Sequence, residues 1–341
     1  MTSLKAVAVA GLSVLLTGTA AAQTQAASTP VGFETITIDQ TFNYMGLRLV
    51  GSAIQTGSVT NTNNSLTFAN GTIPDGPVVV EVGSGTAQGA VVAGTASGNA
   101  VTVAAGVGGD IATGDTVTIR QAQTLASVFG AAGENLDGAA GQGAADLVLV
   151  PDGMGGFDTY FYATAGFTTA AGWRQVVNGV ATEVDANNVV LVYTDGVVVQ
   201  NRQGNNSIVV TGTVPTASAS LALTSTFNYL GTVFPVGSTL STAFDDPQNP
   251  GTLRDGTLTG AAGQGAADLV LVPEGSGFNT YFYATAGFTT PAGWRQVASD
   301  GTVSNADSTM VSLDGASSII IQNRGDSRNV TINAPGFYSN L

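Results

Sequence analysis

The chain has 341 residues, no Cys, no His and a single Lys, Lys5. That composition excludes thiol and imidazole nucleophiles, bases and metal ligands. Beyond residue 5 it also excludes Schiff-base lysines and Lys–Asn isopeptide links. Nine basic residues stand against 23 acids, a net charge of −14, so the basic footprint that nucleic acid requires is absent.

The length leaves room for two or three domains. Charged residues are 9% of the chain, against about 25% in an average soluble domain. The hydrophobic share is 43%, too high for a disordered chain. It consists mainly of Val, Ala, Leu and Ile in short runs broken by Gly, Thr, Asn and Asp, a pattern that predicts many short strands with tight turns.

Residues 1–22 have the form of a secretory signal. Lys5 supplies a minimal positive start, Ala6 to Leu16 an apolar stretch, and Ala20-Ala21-Ala22 an A-x-A-like cleavage site before Gln23. Loss of Lys5 would take the charge from −14 to −15. The apolar run is shorter than the ~20 residues of a spanning helix, and no other segment reads as one. The expectation is a protein exported across the cytoplasmic membrane to an extracellular, cell-surface or periplasmic location. Without Cys it would be stabilised by packing rather than disulfides.

The remaining chain is a duplication. Gly138–Pro151 (GAAGQGAADLVLVP) recurs unchanged at Gly260–Pro273, Thr159–Thr169 at Thr280–Thr290, and Ala171–Val176 at Ala292–Val297. Thr41-Phe42-Asn43-Tyr44 matches Thr226-Phe227-Asn228-Tyr229, and Gln200-Asn201-Arg202 matches Gln322-Asn323-Arg324. In the second copy Gly237-Ser238 leads straight into Thr239–Phe244, whereas in the first a long segment separates Gly51-Ser52 from Thr124–Phe129. The predicted organisation is a first β unit at 34–52 plus 123–214, an inserted small β domain at 53–122, and a second β unit at 218–335. The points flanking the insert should lie close together, because the second copy closes without it.

Strand-like runs in the insert are Val78–Val82, Ala90–Val92, Val101–Val103 and Thr116–Ile119, with a hairpin around Asn61–Asn64. They predict a small barrel or sandwich. In the units, strands are expected at Leu147–Val150, Thr159–Thr164, Trp173–Val176, Val189–Tyr193, Val197–Asn201 and Ile208–Val214, with counterparts in the second copy. Asp152–Gly156 and Glu274–Gly277 read as hairpin turns. Thr124 caps a short helix whose Leu125, Val128 and Phe129 fall at helical spacing. Asp245–Gly256 reads as a surface loop, and Gly106–Gly109 as a turn. The fold class is thus all-β: two related sandwich or barrel units in tandem, the first carrying a barrel-like insert, with one short helix per unit.

Candidate binding residues come from the repeated aromatic strands: Tyr160, Tyr162, Trp173 and Arg174, and Tyr281, Tyr283, Trp294 and Arg295. Neighbours on a strand point to opposite faces. Phe161 and Phe282 can thus enter a core while the Tyr pairs face the other way, as a stacking platform for sugar rings. The plainer reading is that all these rings fill cores. Asp146 and Asp268, before LVLVP, can serve Ca²⁺ or bond turn amides; Asp245, Asp246 and Asp255 are a weaker metal candidate. Arg174 and Arg295, like Arg202 and Arg324, invite a bridge to Asp146 and Asp268. No acid pair sits in a glycosidase-like motif. No cofactor, resident metal or catalytic residue is expected.

In order along the chain stand GDTVTI (Gly114–Ile119), Thr124-Leu125 with Val128-Phe129-Gly130, ADLVLVP (Ala145–Pro151), Tyr160-Phe161-Tyr162, Gly172-Trp173-Arg174 and VVQNR (Val198–Arg202). This series resembles an uncharacterised family of exported β-rich proteins best known from Verrucomicrobia and related bacteria. The likeness covers most of 40–214 and, without the insert and GDTVTI, the second copy. It implies export and β architecture, and no activity. The functional expectation is an exported, non-enzymatic structural or cell-surface-associated protein, with self-assembly through strand edges open to it. The alternative is a glycan-binding protein using the Tyr/Trp/Arg strands.

Overall fold

The computed structural model describes residues 30–166, 170–275, 277–287, 291–315 and 317–340. The signal-like segment 1–22 lies outside the described residues, as does Ser276 in the second expected hairpin turn. The fold is all-β. The first unit opens with β1 (Val31–Ile38) and β2 (Thr41–Gly46). The chain then enters a closed six-stranded barrel: β3 (Ala53–Thr62), β4 (Ser65–Phe68), β5 (Gly76–Val82), β6 (Val91–Ser97), β7 (Ala100–Val103), helix α1 (Ala105–Asp110) and β8 (Thr116–Gln121), closing in the order β3-β4-β7-β6-β5-β8. After helix α2 (Leu125–Phe129) the first unit resumes with β9 (Leu147–Pro151), β10 (Phe157–Ala163), β11 (Gly172–Val177), β12 (Val180–Asp185), β13 (Gly196–Asn201) and β14 (Asn206–Thr213).

The second unit repeats the plan without the barrel: β15 (Ala219–Leu223), β16 (Phe227–Gly231), helix α3 (Leu240–Phe244), a small hairpin β17 (Asp245–Asp246) and β18 (Asn249–Leu253), then β19 (Leu269–Glu274), β20 (Gly277–Ala284), β21 (Gly293–Val297), β22 (Val303–Asn305), β23 (Ser318–Gln322) and β24 (Arg328–Ile332). In each unit a two-stranded ribbon, β1–β14 or β15–β24, accompanies a six-stranded sheet. The sheets are ordered β12-β11-β10-β9-β13-β2 and β16-β23-β19-β20-β21-β22, with antiparallel neighbours.

Local sequence explains most of these elements. Thr124 and Thr239 cap α2 and α3: each hydroxyl accepts the amide three residues on, while Ser127 or Thr242 bonds back to the cap amide. Leu125, Val128 and Phe129 are then buried on one face. In β5 the period of two divides labour. Val78, Val80 and Val82 fill the barrel interior, whereas Val79 joins the main core of the units. Glu81, on the same outward face, pairs with Arg120 at 2.7 Å and accepts a 2.8 Å hydrogen bond from the Tyr193 hydroxyl. The barrel is therefore pinned to the first unit by an apolar contact and a charged one. At its root the Gln121 amide donates to the Ser52 carbonyl at 3.0 Å, so entry and exit strands run together.

Three local expectations need correction, and one strand was not anticipated. Val189–Tyr193 is not a strand; it passes under α2 and makes only a bridge from Val190 to Thr124, flanked by Leu125 N–H to Val189 O and Leu191 N–H to Gln123 O. Val180–Asp185, with no strong alternation, is the outer strand β12. Asp245–Gly256 contains the β17–β18 hairpin, and Asp245 is buried. Gly106–Gly109 belongs to α1, whose last turn is held by the Asn61 amide donating to Gly108 O at 2.8 Å and Ile111 O at 2.6 Å. A Cβ on Gly108 would lie 2.9 Å from Val103 Cγ2, so glycine lets this helix close against the barrel end.

Candidate functional site: a cleft between the barrel and the two units

The eight sequence-selected residues do not form a presented surface. Trp173 and Trp294 are 0% and 2% exposed; Tyr160, Tyr281, Tyr283, Arg174 and Arg295 are also buried, and Tyr162 is half-buried. The indole N–H of Trp173 donates to Gly130 O at 2.8 Å, and that of Trp294 to Asp245 Oδ1 at 2.6 Å. Tyr162 and Tyr283 meet their Trp edge-on at 5.9 Å, and Phe129 and Phe244 of the short helices complete each aromatic cluster. A sugar platform needs open ring faces, and here the rings hold helix to sheet.

The opposite face of β10 is covered as well. Phe161 and Phe282 are buried in small satellite clusters with Ala145, Ala163, Ala267 and Ala284. What covers them is the repeated Gly-Ala segment: Ala139 donates to Tyr162 O and Thr164 donates to Ala139 O, and Ala261 and Thr285 repeat the pattern. A Cβ on Gly138 would fall 2.9 Å from Tyr162 O, and one on Gly260 3.1 Å from Tyr283 O. The identical repeats thus encode a close-packed cover over a sheet, which requires small residues.

Asp146 and Asp268 organise turns. Asp146 accepts from Asp137 N–H at 2.9 Å and Arg202 N–H at 2.8 Å; Asp268 accepts from Thr259 N–H at 2.6 Å and Arg324 N–H at 2.7 Å. The cation paired with Asp268 is Arg328, not Arg295 or Arg324. The guanidinium of Arg174 donates to the carbonyls of Ala170, Ala171 and Glu183, and that of Arg202 to those of Gln142 and Gly143. These arginines staple loops rather than bind carboxylates. Asp246 accepts from Gln248 N–H and Asn249, which hold its carboxyl below the usual range. Among the described residues no group of three or more Asp or Glu is placed to hold a metal ion.

The site that sequence reasoning missed is a cleft of about 280 Å³ where three bodies meet. The barrel contributes the turn after β5 and the end of α1, including Gln88 and Asp110. The first unit contributes the β9–β10 turn and Thr194-Asp195; the second contributes β15, β16 and Asn329. Two backbone contacts fix this geometry. Ser220 N–H donates to Gly89 O at 2.8 Å, tying barrel to second unit, and Asp195 bridges Leu230, tying the two units.

Asp195 is the dominant ionisable group of the cleft. Burial pushes its carboxyl up to about 7, partly offset by a hydrogen bond from Thr194. Among the described residues no Arg lines the cleft, and Asp110 is its other carboxyl. Phe227, also in the wall, is 44% exposed. The side chains of Gln88, Ser220 and Asn329 line the wall, with no side-chain hydrogen bond among the described residues. The signal for Asp195 lay in a difference between the copies. The position before the matching Val197–Arg202 and Ile319–Arg324 stretches reads Asp195-Gly196 in one and Ser317-Ser318 in the other.

Comparison with protein-family models, curated proteins and solved structures found no match for the chain.

Proposed function

We propose that this is an exported, non-enzymatic structural protein of the cell surface that associates end to end through the outer edges of its two six-stranded sheets. The observation that carries the reading is the state of those edges. The inner edge strands, β2 and β16, are consumed where the units meet. The outer edges, β12 and β22, pair on one side only and carry exposed apolar residues: Val180 at 67%, Val184 at 72% and Val303 at 49%. An exposed edge with unpaired N–H and C=O groups is a template for another strand, and lysine is the usual guard against it. No Lys occurs after residue 5.

Charge favours an unlike pairing. β12 carries Glu183 and Asp185, whereas β22, Val303-Ser304-Asn305, carries no charge. Joining β12 to β12 stacks four acids; joining β12 to β22 does not. An unlike contact repeats without closing unless its rotation closes a ring, so it builds fibres. The signal-like segment 1–22 supports export, and the burial of the aromatic clusters argues against the glycan alternative on the Tyr/Trp/Arg strands. The test is light scattering behind size exclusion, with electron microscopy, on the chain from Gln23 across concentration. Concentration-dependent chains that Val184→Lys disperses are expected; a monomer at every concentration overturns the reading.

A further inference from the structure

We infer that the cleft enclosed by the barrel, the first unit and the second unit binds a small organic diamine, one ammonium held by Asp195 and the other by Asp110, its carbon skeleton laid against Phe227. This is independent of end-to-end assembly, because β12 and β22 take no part in the cleft.

Four observations converge. First, the space is real: about 280 Å³, suited to a metabolite-sized molecule. It is formed only because the insert is present, since Gln88, Val91 and Asp110 supply one wall. Second, among the described residues the wall has two carboxyls and no cation. A desolvated carboxyl with a single hydroxyl partner is poorly compensated, and a cation entering beside it restores the balance. Third, Phe227 and Tyr229 lie in the same wall, and an aromatic face attracts an alkylammonium as well as its chain. Fourth, a net charge of −14 draws cations toward the molecule and repels anions. The side chains of Gln88, Ser220 and Asn329, which make no hydrogen bond among the described residues, can receive further polar groups.

A divalent metal is a poorer occupant. Hard cations of the Ca²⁺ type take six to eight oxygens, and no cluster of that kind exists among the described residues. A neutral polyol gains hydrogen bonds but leaves Asp195 unpaired.

The pH dependence follows from Asp195, whose carboxyl is raised by burial and not by a neighbouring charge. The other titratable groups lining the cleft are Asp110 from α1 and Tyr229 from β16; the β9–β10 turn presents Pro151 and glycines, with Asp152 engaged by the amides of Met154 and Gly156. Asp195 carries a proton over much of the range below about 7, and an ammonium displaces it. Binding is therefore weaker at pH 5 than at pH 8, and it releases a proton near neutrality.

The experiment is isothermal titration of the chain from Gln23 with 1,5-diaminopentane and with its neutral counterpart 1,5-pentanediol. It is run near pH 7 in two buffers of different ionisation enthalpy. The expected result is saturable binding of the diamine with fractional proton release, no binding of the diol, and loss of about tenfold or more in affinity in Asp195→Asn. Asp110→Asn, at an exposed position, provides a second variant should Asp195→Asn misfold, and is expected to weaken diamine binding without removing the proton release. Equal binding of diamine and diol, no heat from the diamine, or unchanged affinity in a folded Asp195→Asn overturns the inference.

Discussion

Gly46 and Gly231 occupy the same position in the two copies and lie against each other at the junction of the units. A Cβ on Gly46 would sit 2.8 Å from Gly231 Cα and 2.1 Å from the Ser317 carbonyl oxygen; one on Gly231 would sit 2.3 Å from the Tyr193 carbonyl oxygen. The contact is reciprocal. Gly46 N–H meets Ser317 Oγ at 3.2 Å, and Gly231 N–H donates to Thr194 O at 2.9 Å. Tyr44 and Tyr229, two residues earlier in each strand, stack in parallel with centroids 6.4 Å apart. The copies therefore meet through equivalent surfaces, as an approximate two-fold axis requires, and glycine allows the backbones to touch.

Gly46→Ala should consequently separate the units rather than merely crowd one. The new methyl meets backbone, which cannot rotate away, so overpacking should cost about 1–3 kcal/mol or more. Gly141→Ala is the control, since nothing lies within 4 Å of its Cβ position. Urea unfolding is expected to show a lowered midpoint for the first and none for the second. Equal midpoints would remove the close contact as an explanation.

The two tryptophans provide a matched comparison. Trp173 donates to a backbone carbonyl, whereas Trp294 donates to Asp245, a buried carboxyl that also accepts from Ser308 Oγ at 2.6 Å and Gly251 N–H at 2.8 Å. Removing a donor from a buried charged group costs more than removing it from a carbonyl. Trp294→Phe should thus destabilise more than Trp173→Phe, by roughly 1 kcal/mol. In the parent protein both indoles should emit in the blue and resist acrylamide quenching. Strong quenching would contradict their burial.

The all-β class, the short capped helices and the equivalence of the copies were legible because each rests on a local pattern: alternating Val and Leu, Thr at a cap, identical words at two places. Trp173 and Tyr160 were legible as a repeated cluster, and the plainer reading, that the rings fill cores, is what the structure shows; the platform reading stayed open because a period of two assigns neighbours to opposite faces without saying that both are covered. The second cover comes from Gly138–Ala145, whose bonds to β10 are backbone bonds that no side chain announces. Asp195 announced itself only as a difference between the copies, for a further reason. Its environment is assembled from segments of the barrel and both units, and its own neighbours in sequence carry no motif.

The paired carboxyls contain an internal control. Asp146 is satisfied among charged and amide donors by two backbone N–H groups, while Asp268 has the same two amides and Arg328 in addition. Arg328 stands where the first copy has Asn206. If two amides suffice for Asp146, Arg328→Asn should cost only about 1 kcal/mol, less than the 3–5 typical of breaking a buried pair. Asp268→Ala orphans both amides and the guanidinium, and should cost about 2–4 kcal/mol. Thermal unfolding of the two variants decides it; equal losses would mean that the ion pair, not the amides, holds the turn.

Asp195 should make stability fall as pH rises. Its folded value, about 7, lies above the 3.8 of the free side chain. Between those values the folded state binds more protons than the unfolded chain, so unfolding becomes easier with increasing pH. The neutral carboxyl's advantage is complete below about 3.8, declines across the interval and is gone above about 7. A three-unit displacement has a ceiling of about 4 kcal/mol, reduced by whatever water reaches the cleft. Asp246, Asp300 and Asp307 act in the opposite sense, since turn hydrogen bonds hold them low. The difference between parent and Asp195→Asn isolates the cleft from them. Asparagine keeps the shape and never ionises, so the variant should match the parent near pH 4 and exceed it at pH 8. Denaturant titrations at the two pH values measure this directly. An Asp195→Asn protein no more stable than its parent at pH 8 would mean that the carboxyl is solvated when charged, and that the cleft is more open than its geometry implies.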